Sequence, residues 1–307
     1  MTSALIGYSV LFYISASYVS VLYITARDAE QYKRKRDDPR VIRSRMKRIS
    51  LLTIFNIFFI PLLQTKFNKS NYINNLLNLG IIPGRQLNGQ WNNTLYFKNF
   101  FESLILICQL YIGPIIDTIL YYVVSNCSSL ISDINDLYNN IWSVRNNIFA
   151  PITEEIFYTS MLLTTYMTFF DDGDLTFKKL LIEPPLFFGI AHIHHSYEIY
   201  LLGTQTIISI IISTTFQILY TSLFGILTNY IFLITHGNLL SCIILHSICN
   251  IIGFPNGSEL ISYLTIIKPS NSNIMKRLLQ IWQKVYIGLL VIGIILFAKG
   301  LDNFTQI

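Results

Sequence analysis

Charge is what this sequence has least of. Only 13% of its 307 residues are Asp, Glu, Lys or Arg, whereas 52% are hydrophobic. That charge share is about half that of an ordinary soluble domain, so a soluble protein of this composition could not cover its surface. The hydrophobic residues also come in long runs, and about 20 such residues cross the ~30 Å hydrocarbon core of a bilayer. The sequence therefore predicts an integral membrane protein.

Several signatures of other protein classes are absent. The four cysteines form no CxxC pair, and no HExxH motif is present, so the spacings typical of zinc sites are missing. We also find no internal repeat, no Pro- or Ser-rich linker and no appended soluble segment. We therefore expect one transmembrane domain over residues 1–307, with a motif-bearing core at about 149–253.

Windows of low charge give the number of membrane spans. They predict eight, near residues 4–25, 49–64, 101–124, 149–170, 181–202, 206–226, 229–252 and 280–298. Seven remains an alternative, because the boundary at Gly225 to Asn229 lies in an almost uninterrupted apolar stretch. The predicted fold is all-α, a bundle of about eight transmembrane helices.

The basic residues orient this bundle. Ten Lys or Arg residues and four acids lie between Arg27 and Arg48, and the positive-inside rule places such a loop in the cytosol. The next loop, 65–100, is then lumenal, in agreement with two glycosylation sequons at Asn68 and Asn92. Loop 125–148 and the loop after residue 252 return to the cytosol.

Two adjacent acids begin the fourth span. Glu154 and Glu155 follow Pro151, which suits a first helical turn, where carboxylates are also favoured by the helix dipole. A solvated helix start is the ordinary interpretation. Neighbouring residues point about 100° apart around a helix, so the two acids cannot share one partner, and we expect them to have different roles.

Histidines are concentrated in the next span. Three of the five in the chain, His192, His194 and His195, fall within four positions. Imidazole can ligate zinc, but the spacing of three between His192 and His195 is not a zinc-peptidase pattern. We expect His194 and His195 to be hydrogen-bonded structural residues, and His236 to be structural at a helix break.

A third pair lies in the seventh span. His246 and Asn250 are separated by four residues and share one helix face, so both can donate hydrogen bonds to one small group. Bonding between membrane helices is the alternative role. By their distance from the predicted span ends, Glu154, His192 and His246 all lie within ~7–15 Å of the cytosolic surface, where they could form one site.

These motifs, in this order, resemble a known family. Glu154-Glu155 in an APxxEE context, Phe188-xxx-His192 and His246-xxx-Asn250 are similar to the type II CAAX prenyl endopeptidases, the Ras-converting proteases of the glutamate-dependent intramembrane (ABI) superfamily. The resemblance implies a membrane-embedded cavity open to the cytosol, in a multi-pass protein of the endoplasmic reticulum. The implied partners are the lipid bilayer and farnesylated or geranylgeranylated CAAX proteins, such as Ras-like GTPases and prenylated peptide precursors. Nucleic acid is not expected as a partner.

The resemblance also implies roles for individual residues. Glu154 and His192 would activate water, His246 and Asn250 would form an oxyanion hole, Glu155 and Phe188 would support them, and no metal or other cofactor would be needed. The family motif is EExxxR, with its arginine held by the second glutamate. Here position 159 is threonine, which leaves the role of Glu155 open.

Two other functions remain as alternatives. In the first, Glu154, His192 and His246 bind zinc in a metal-dependent membrane protease. In the second, the polar residues line the path of a transporter or belong to a non-catalytic scaffold. Transport folds often contain paired repeats, and this sequence shows none.

Overall fold

The protein is helical throughout the part of the chain that the structure describes. The computed structural model describes residues 3–23, 37–170, 176–255, 257–269 and 272–304. Its α-helices are Ser3–Ser20, Pro39–Asn68, Tyr72–Leu77, Asn93–Leu110, Ile112–Val124, Leu130–Asn139, Ile141–Val144, Ala150–Glu154, Leu162–Phe169, Phe177–Ala191, Ile193–Leu202, Ile207–Ile234, Leu239–Ile252, Glu259–Ser262 and Asn273–Phe304. Three π-helical segments, Arg145–Phe149, Glu155–Met161 and Tyr263–Ile267, continue neighbouring helices. These residues confirm the all-α prediction.

The predicted spans fall on helices or on consecutive helices. The predicted boundary at Gly225 to Asn229 is wrong, because the helix Ile207–Ile234 runs through it and the chain breaks at residues 235–238 instead. Among the described residues, three helices are long and apolar enough to cross a membrane. The pair Asn93–Leu110 and Ile112–Val124, bent by 78°, has the length and composition of a fourth if it forms one span. The other predicted spans fall on shorter or interrupted helices, such as Leu239–Ile252. The predicted count of about eight is thus roughly consistent with the helices observed.

One helix begins earlier than expected. The sequence predicts a basic loop up to residue 48, but the helix starts at Pro39 and runs to Asn68. Asp38 caps it, because its carboxylate accepts a hydrogen bond from the Arg40 backbone N–H at 2.8 Å, and proline is well tolerated in a first turn. The expected loop residues 24–36 lie outside the described part of the chain.

The chain forms two compact units. The first contains Met1–Asn99 and Phe149–Ile243, and the second contains Phe100–Ile148 and Ile244–Ile307. In the first unit, glycines bring two helices close together. A Cβ atom on Gly189 would lie 2.2 Å from Ser222 Oγ, and one on Gly225 would lie 3.0 Å from Pro185 Cβ. The helix Phe177–Ala191 therefore packs tightly along Ile207–Ile234.

The helix Ile207–Ile234 also has a broad apolar face that the protein does not cover. Ile208, Ile212, Phe216 and Leu223 are each more than 60% exposed. Such a face suits lipid, in which exposed aliphatic side chains carry no penalty.

A buried carboxylate organises the second unit. Asp117 is 2% exposed and accepts hydrogen bonds from the Ser258 hydroxyl at 2.5 Å, the Glu259 backbone N–H at 2.7 Å and the Trp282 indole N–H at 2.7 Å. Burial, followed by the negative charges of Asp117 and Asp133, raises the pKa of the Glu259 carboxyl above its ordinary value. Asp117 thus joins the helix Ile112–Val124 to two later parts of the chain.

Candidate active site

The two adjacent glutamates occupy different environments. Glu154 ends the helix Ala150–Glu154 and is half-buried, whereas Glu155 begins the π-helical segment Glu155–Met161 and is 2% exposed. A π-helix within an α-helix is rare and is often found at functional sites. The sequence predicts different roles for these residues, and their surroundings are consistent with this prediction.

Hydroxyl groups hold the buried Glu155. Thr159 donates a hydrogen bond to Glu155 Oε2 at 2.6 Å, and its hydroxyl lies 2.9 Å from that of Thr228. Thr228 belongs to the helix Ile207–Ile234, and its backbone carbonyl accepts from the Cys242 thiol at 3.4 Å. Thr159 therefore binds Glu155 from the position where the family motif has arginine, and links it to a second helix.

The tautomer of His192 follows from its hydrogen bond. His192 lies at the break between the helices Phe177–Ala191 and Ile193–Leu202, with its Nδ1 2.9 Å from the backbone oxygen of Phe188. A carbonyl oxygen can only accept, so Nδ1 must carry the hydrogen. The other ring nitrogen, Nε2, keeps its lone pair when the ring is neutral, and His192 can therefore act as a base through Nε2.

Aromatic rings fix this histidine in place. Phe188 is 3% exposed, and its ring meets the His192 ring edge-on with centroids 4.9 Å apart. The ring of Tyr158, on the π-helical segment, packs against the same Phe188 ring, with the two centroids 4.8 Å apart. Tyr158 thus links the glutamate-bearing segment to His192 through Phe188, a contribution that the sequence motifs did not indicate.

The neighbouring histidines join a separate charged cluster. His194 Nδ1 is 2.6 Å from the Ala191 carbonyl, and its ring lies 3.9 Å from that of His195 and 6.3 Å from that of Tyr23. Tyr23 donates to Glu198 at 3.0 Å, and Glu198 forms a salt bridge with Arg45 at 2.7 Å. Sequence reasoning missed this cluster because its members come from distant parts of the chain.

His236 lies at the predicted helix break. The helix Ile207–Ile234 ends just before it, and Leu239–Ile252 begins three residues after it. His236 has a positive φ of 56°, and its carbonyl accepts from the Leu87 N–H at 3.0 Å. Its backbone therefore forms part of the turn, in agreement with a structural role.

His246 and Asn250 belong to the second unit, on the helix Leu239–Ile252. His246 is 6% exposed, whereas Asn250 is exposed. The Asn250 amide nitrogen donates to the backbone carbonyl of Asn146 at 2.8 Å. This bond uses one of the two amide hydrogens, so the other can still be donated to a ligand.

No group of three or more His, Cys, Asp or Glu side chains is placed to hold a metal ion among the described residues. The four cysteines are free thiols, two of them buried.

Comparison with known proteins decides the family. Residues 137–252 match the family profile described as "Type II CAAX prenyl endopeptidase Rce1-like". The chain is 45% identical to "CAAX prenyl protease 2" of Saccharomyces cerevisiae, over 96% of this chain and 95% of that protein. This chain belongs to the type II CAAX prenyl endopeptidase family. It is accordingly a membrane-bound hydrolase.

More distant members of the CAAX prenyl endopeptidase family also align. The chain is 26% identical to "Probable CAAX prenyl protease 2" of Schizosaccharomyces pombe, over 97% of this chain and 94% of that protein. It is 27% identical to "CAAX prenyl protease 2" of Homo sapiens, over 79% of this chain and 69% of that protein. No solved structure is significantly similar to the chain. The matched family region includes Glu154, His192, His246 and Asn250.

Proposed function

We propose that this enzyme hydrolyses the peptide bond that follows the prenylated cysteine of CAAX proteins and releases the AAX tripeptide. The main support for this mechanism is the hydrogen bond from His192 Nδ1 to the Phe188 backbone carbonyl. Because this bond fixes the hydrogen on Nδ1, Nε2 of the neutral ring can accept a proton. Glu154, half-buried at the end of its helix, is the acid that would act with it. A carboxylate and an imidazole together can remove a proton from water.

The proposed reaction proceeds through a tetrahedral intermediate. The water oxygen bonds to the scissile carbonyl carbon while one of its two protons passes to His192 Nε2, and the Glu154 carboxylate stabilises the resulting imidazolium. The carbonyl oxygen becomes an oxyanion, to which His246 and Asn250 donate hydrogen bonds; one such donor is typically worth ~10²–10³ in rate. Collapse breaks the C–N bond, the stored proton moves to the departing amine, and the second water proton leaves the new carboxyl group, which becomes a carboxylate. The products are a prenylcysteine carboxylate and a free tripeptide.

A prenyl chain explains why such an enzyme lies in the membrane. The lipid partitions the CAAX end of a protein into the bilayer, where the catalytic residues are carried on apolar helices. We propose farnesylated and geranylgeranylated proteins as substrates, Ras-like GTPases and prenylated peptide precursors among them. We also propose the endoplasmic reticulum as the location, with the site reached from the cytosol.

The deciding assay compares two peptides. Membranes containing the chain are incubated with a farnesylated CAAX peptide and with its unprenylated counterpart, and the products are weighed by mass spectrometry. We expect intact AAX from the prenylated peptide alone. Stepwise loss of single residues would rule out an endopeptidase, and no cleavage at all would favour a transporter or scaffold. Loss of cleavage after exhaustive chelation, restored by zinc, would favour the metal-dependent alternative.

Orientation requires its own measurement. An epitope placed after Gly257 should be reached by antibody in cells whose plasma membrane alone is permeabilised, because the loop after residue 252 is proposed to be cytosolic. An epitope beside Asn88, in the loop proposed to be lumenal, serves as the matched control and should become reachable only after full permeabilisation. The opposite pattern would reverse the topology.

A further inference from the structure

The first unit contains a polar cavity that the proposed reaction does not use. Its volume is about 220 Å³, and five neutral polar side chains line it: Gln64, Asn75, Asn78, Thr164 and Thr168. Thr168 follows Glu154 by 14 residues, or roughly 21 Å along a helix. The cavity is therefore distant from the glutamate end of this segment. No Asp, Glu, Lys, Arg or His is part of its lining.

Two amide oxygens in this lining have no hydrogen-bond partner among the described residues. Gln64 is 0% exposed, and its amide nitrogen donates to the Thr165 hydroxyl at 3.2 Å, but its Oε1 accepts nothing. Asn78 Oδ1 is likewise buried and unpartnered. An unpaired buried carbonyl is costly and rare in folded proteins, so these oxygens indicate a ligand that the cavity is built to hold.

The rest of the polar lining also presents acceptors. Thr164 and Thr168 give their hydroxyl hydrogens to the backbone carbonyls four residues earlier, at 2.9 and 2.7 Å. Asn75 donates its amide hydrogens to Thr65 and Ser70, at 3.0 and 2.7 Å. Thr164 Oγ1 also accepts from Gln64 Nε2 at 3.5 Å, which leaves it one lone pair. Thr164, Thr168 and Asn75 therefore offer oxygens and no hydrogen, which favours a cation over an anion.

Helix ends add negative potential at the same place. Gln64 lies in the second-last turn of Pro39–Asn68, and Thr168 lies in the last turn of Leu162–Phe169. The carboxyl end of a helix carries about half a negative charge. Two such ends therefore approach one cavity whose side chains offer neutral oxygens, and Lys66 in the last turn of Pro39–Asn68 offsets part of the potential of the first. Helix carboxyl ends with neutral oxygens also coordinate monovalent cations in membrane transporters.

We propose that this cavity binds a monovalent metal cation, Na⁺ or K⁺, that keeps part of its water shell. Neutral oxygen donors suit such an ion, whereas Ca²⁺ and Mg²⁺ are usually bound with carboxylates. The volume exceeds that of a bare ion and leaves room for several waters of about 30 Å³ each. The bound ion links the ends of the helices Pro39–Asn68 and Leu162–Phe169 and stabilises the first unit.

The test is thermal unfolding of the purified full chain in detergent. NaCl or KCl replaces choline chloride at constant ionic strength, so that only the identity of the cation changes. We expect Tm to rise by a few degrees and to saturate with one of the two metal ions, because a ligand that binds only the folded state stabilises it. Equal Tm values in all three salts would overturn the proposal and indicate that the cavity holds water alone.

Variants assign the response to the cavity. Gln64→Met removes the unpartnered oxygen at nearly constant size and should abolish the cation response, whereas Gln64→Glu should strengthen it and make the protein respond to Ca²⁺ as well. Gln217→Met, on the helix Ile207–Ile234, is the matched control and should respond like the wild type. Should Gln64→Met fail to fold, Asn78→Leu replaces it. A full cation response in either cavity variant would place the ion elsewhere and refute the site.

Discussion

Thr159 gives its hydroxyl hydrogen to the buried carboxylate of Glu155, across 2.6 Å and one turn of the π-helical segment. In the family motif, this position is an arginine held by the second glutamate. In this protein the neutral hydroxyl of Thr159 makes the contact with Glu155 that the family motif assigns to the arginine side chain. The same hydroxyl lies beside Thr228, so the bond also connects the glutamate-bearing segment to the helix Ile207–Ile234.

This contact predicts a graded response at Thr159. Thr159→Val keeps the shape but removes the donor, and we expect kcat to fall ~10–10²-fold, since a hydrogen bond to a charged group is worth ~1.5–3 kcal/mol and each ~1.4 kcal/mol is tenfold. Thr159→Ser keeps the donor and should retain most of the activity. Kinetics of the purified variants with a farnesylated peptide decide the point. If serine is as impaired as valine, the methyl group matters rather than the hydroxyl.

The proposed base and oxyanion residues should be indispensable. Glu154→Ala and His192→Ala should each abolish turnover while the protein remains in the membrane, because general acid–base catalysis alone contributes ~10²–10⁴ in rate. His246→Ala should do the same, because one oxyanion donor is worth ~10²–10³. Glu155→Ala should be impaired but active. Activity and membrane content are measured on the same preparations. An inactive Glu155→Ala beside an active Glu154→Ala would reverse the two roles.

The kinetics and thermal stability of an Asn250 variant distinguish a catalytic role of this residue from a role in helix packing. Asn250→Ala should lower kcat by ~10²–10³ and change KM little, because a bond to the oxyanion strengthens in the transition state. The Asn250 amide nitrogen donates to the backbone carbonyl of Asn146, so Asn146→Ala keeps that acceptor and serves as the control with near-normal kcat. An Asn250→Ala enzyme that melts early yet keeps its kcat would make Asn250 a structural residue.

Glu259 predicts a pH dependence of stability. Burial raises the pKa of its carboxyl above the ordinary 4.5, so the folded chain holds this proton more tightly than the unfolded chain does. The stabilisation of the folded state by the protonated Glu259 carboxyl is therefore complete below pH 4.5, and it is lost as the pH rises through the raised pKa.

In the wild type, Tm should fall as the pH rises from 4.5 through the raised pKa of Glu259, and Glu259→Gln should reduce this fall. Asp136→Asn, which removes an exposed carboxyl of the same unit, provides the matched control and should leave the slope in place. If Tm depends on pH in Glu259→Gln as it does in the wild type, another titratable group causes the dependence.

The sequence predicts most of the helices because their residues form apolar runs, although several predicted spans fall on shorter or interrupted helices such as Leu239–Ile252. It could not predict that the helix beginning at Pro39 would include the basic residues up to Arg48, since charge marks a loop but does not forbid a helix. The salt bridge of Arg45 with Glu198 joins residues 153 positions apart, and local patterns do not encode such a pair. The orientation of His192 likewise depends on one backbone carbonyl. The motifs therefore predicted the candidate site residues, whereas the groups that these side chains contact are known only from the structure.

The π-helical segment Glu155–Met161 has a consequence for how this gene can change. A π-helical turn holds one residue more than an α-helical turn, because its hydrogen bonds span five residues rather than four. A one-residue deletion in this segment is therefore absorbed by its conversion to α-helix, and later residues keep their orientation. The same deletion in the helix Leu162–Phe169 would turn every later residue by about 100° and draw it back by 1.5 Å. We therefore expect single-residue deletions among relatives to fall in Glu155–Met161 rather than in the α-helix that follows it.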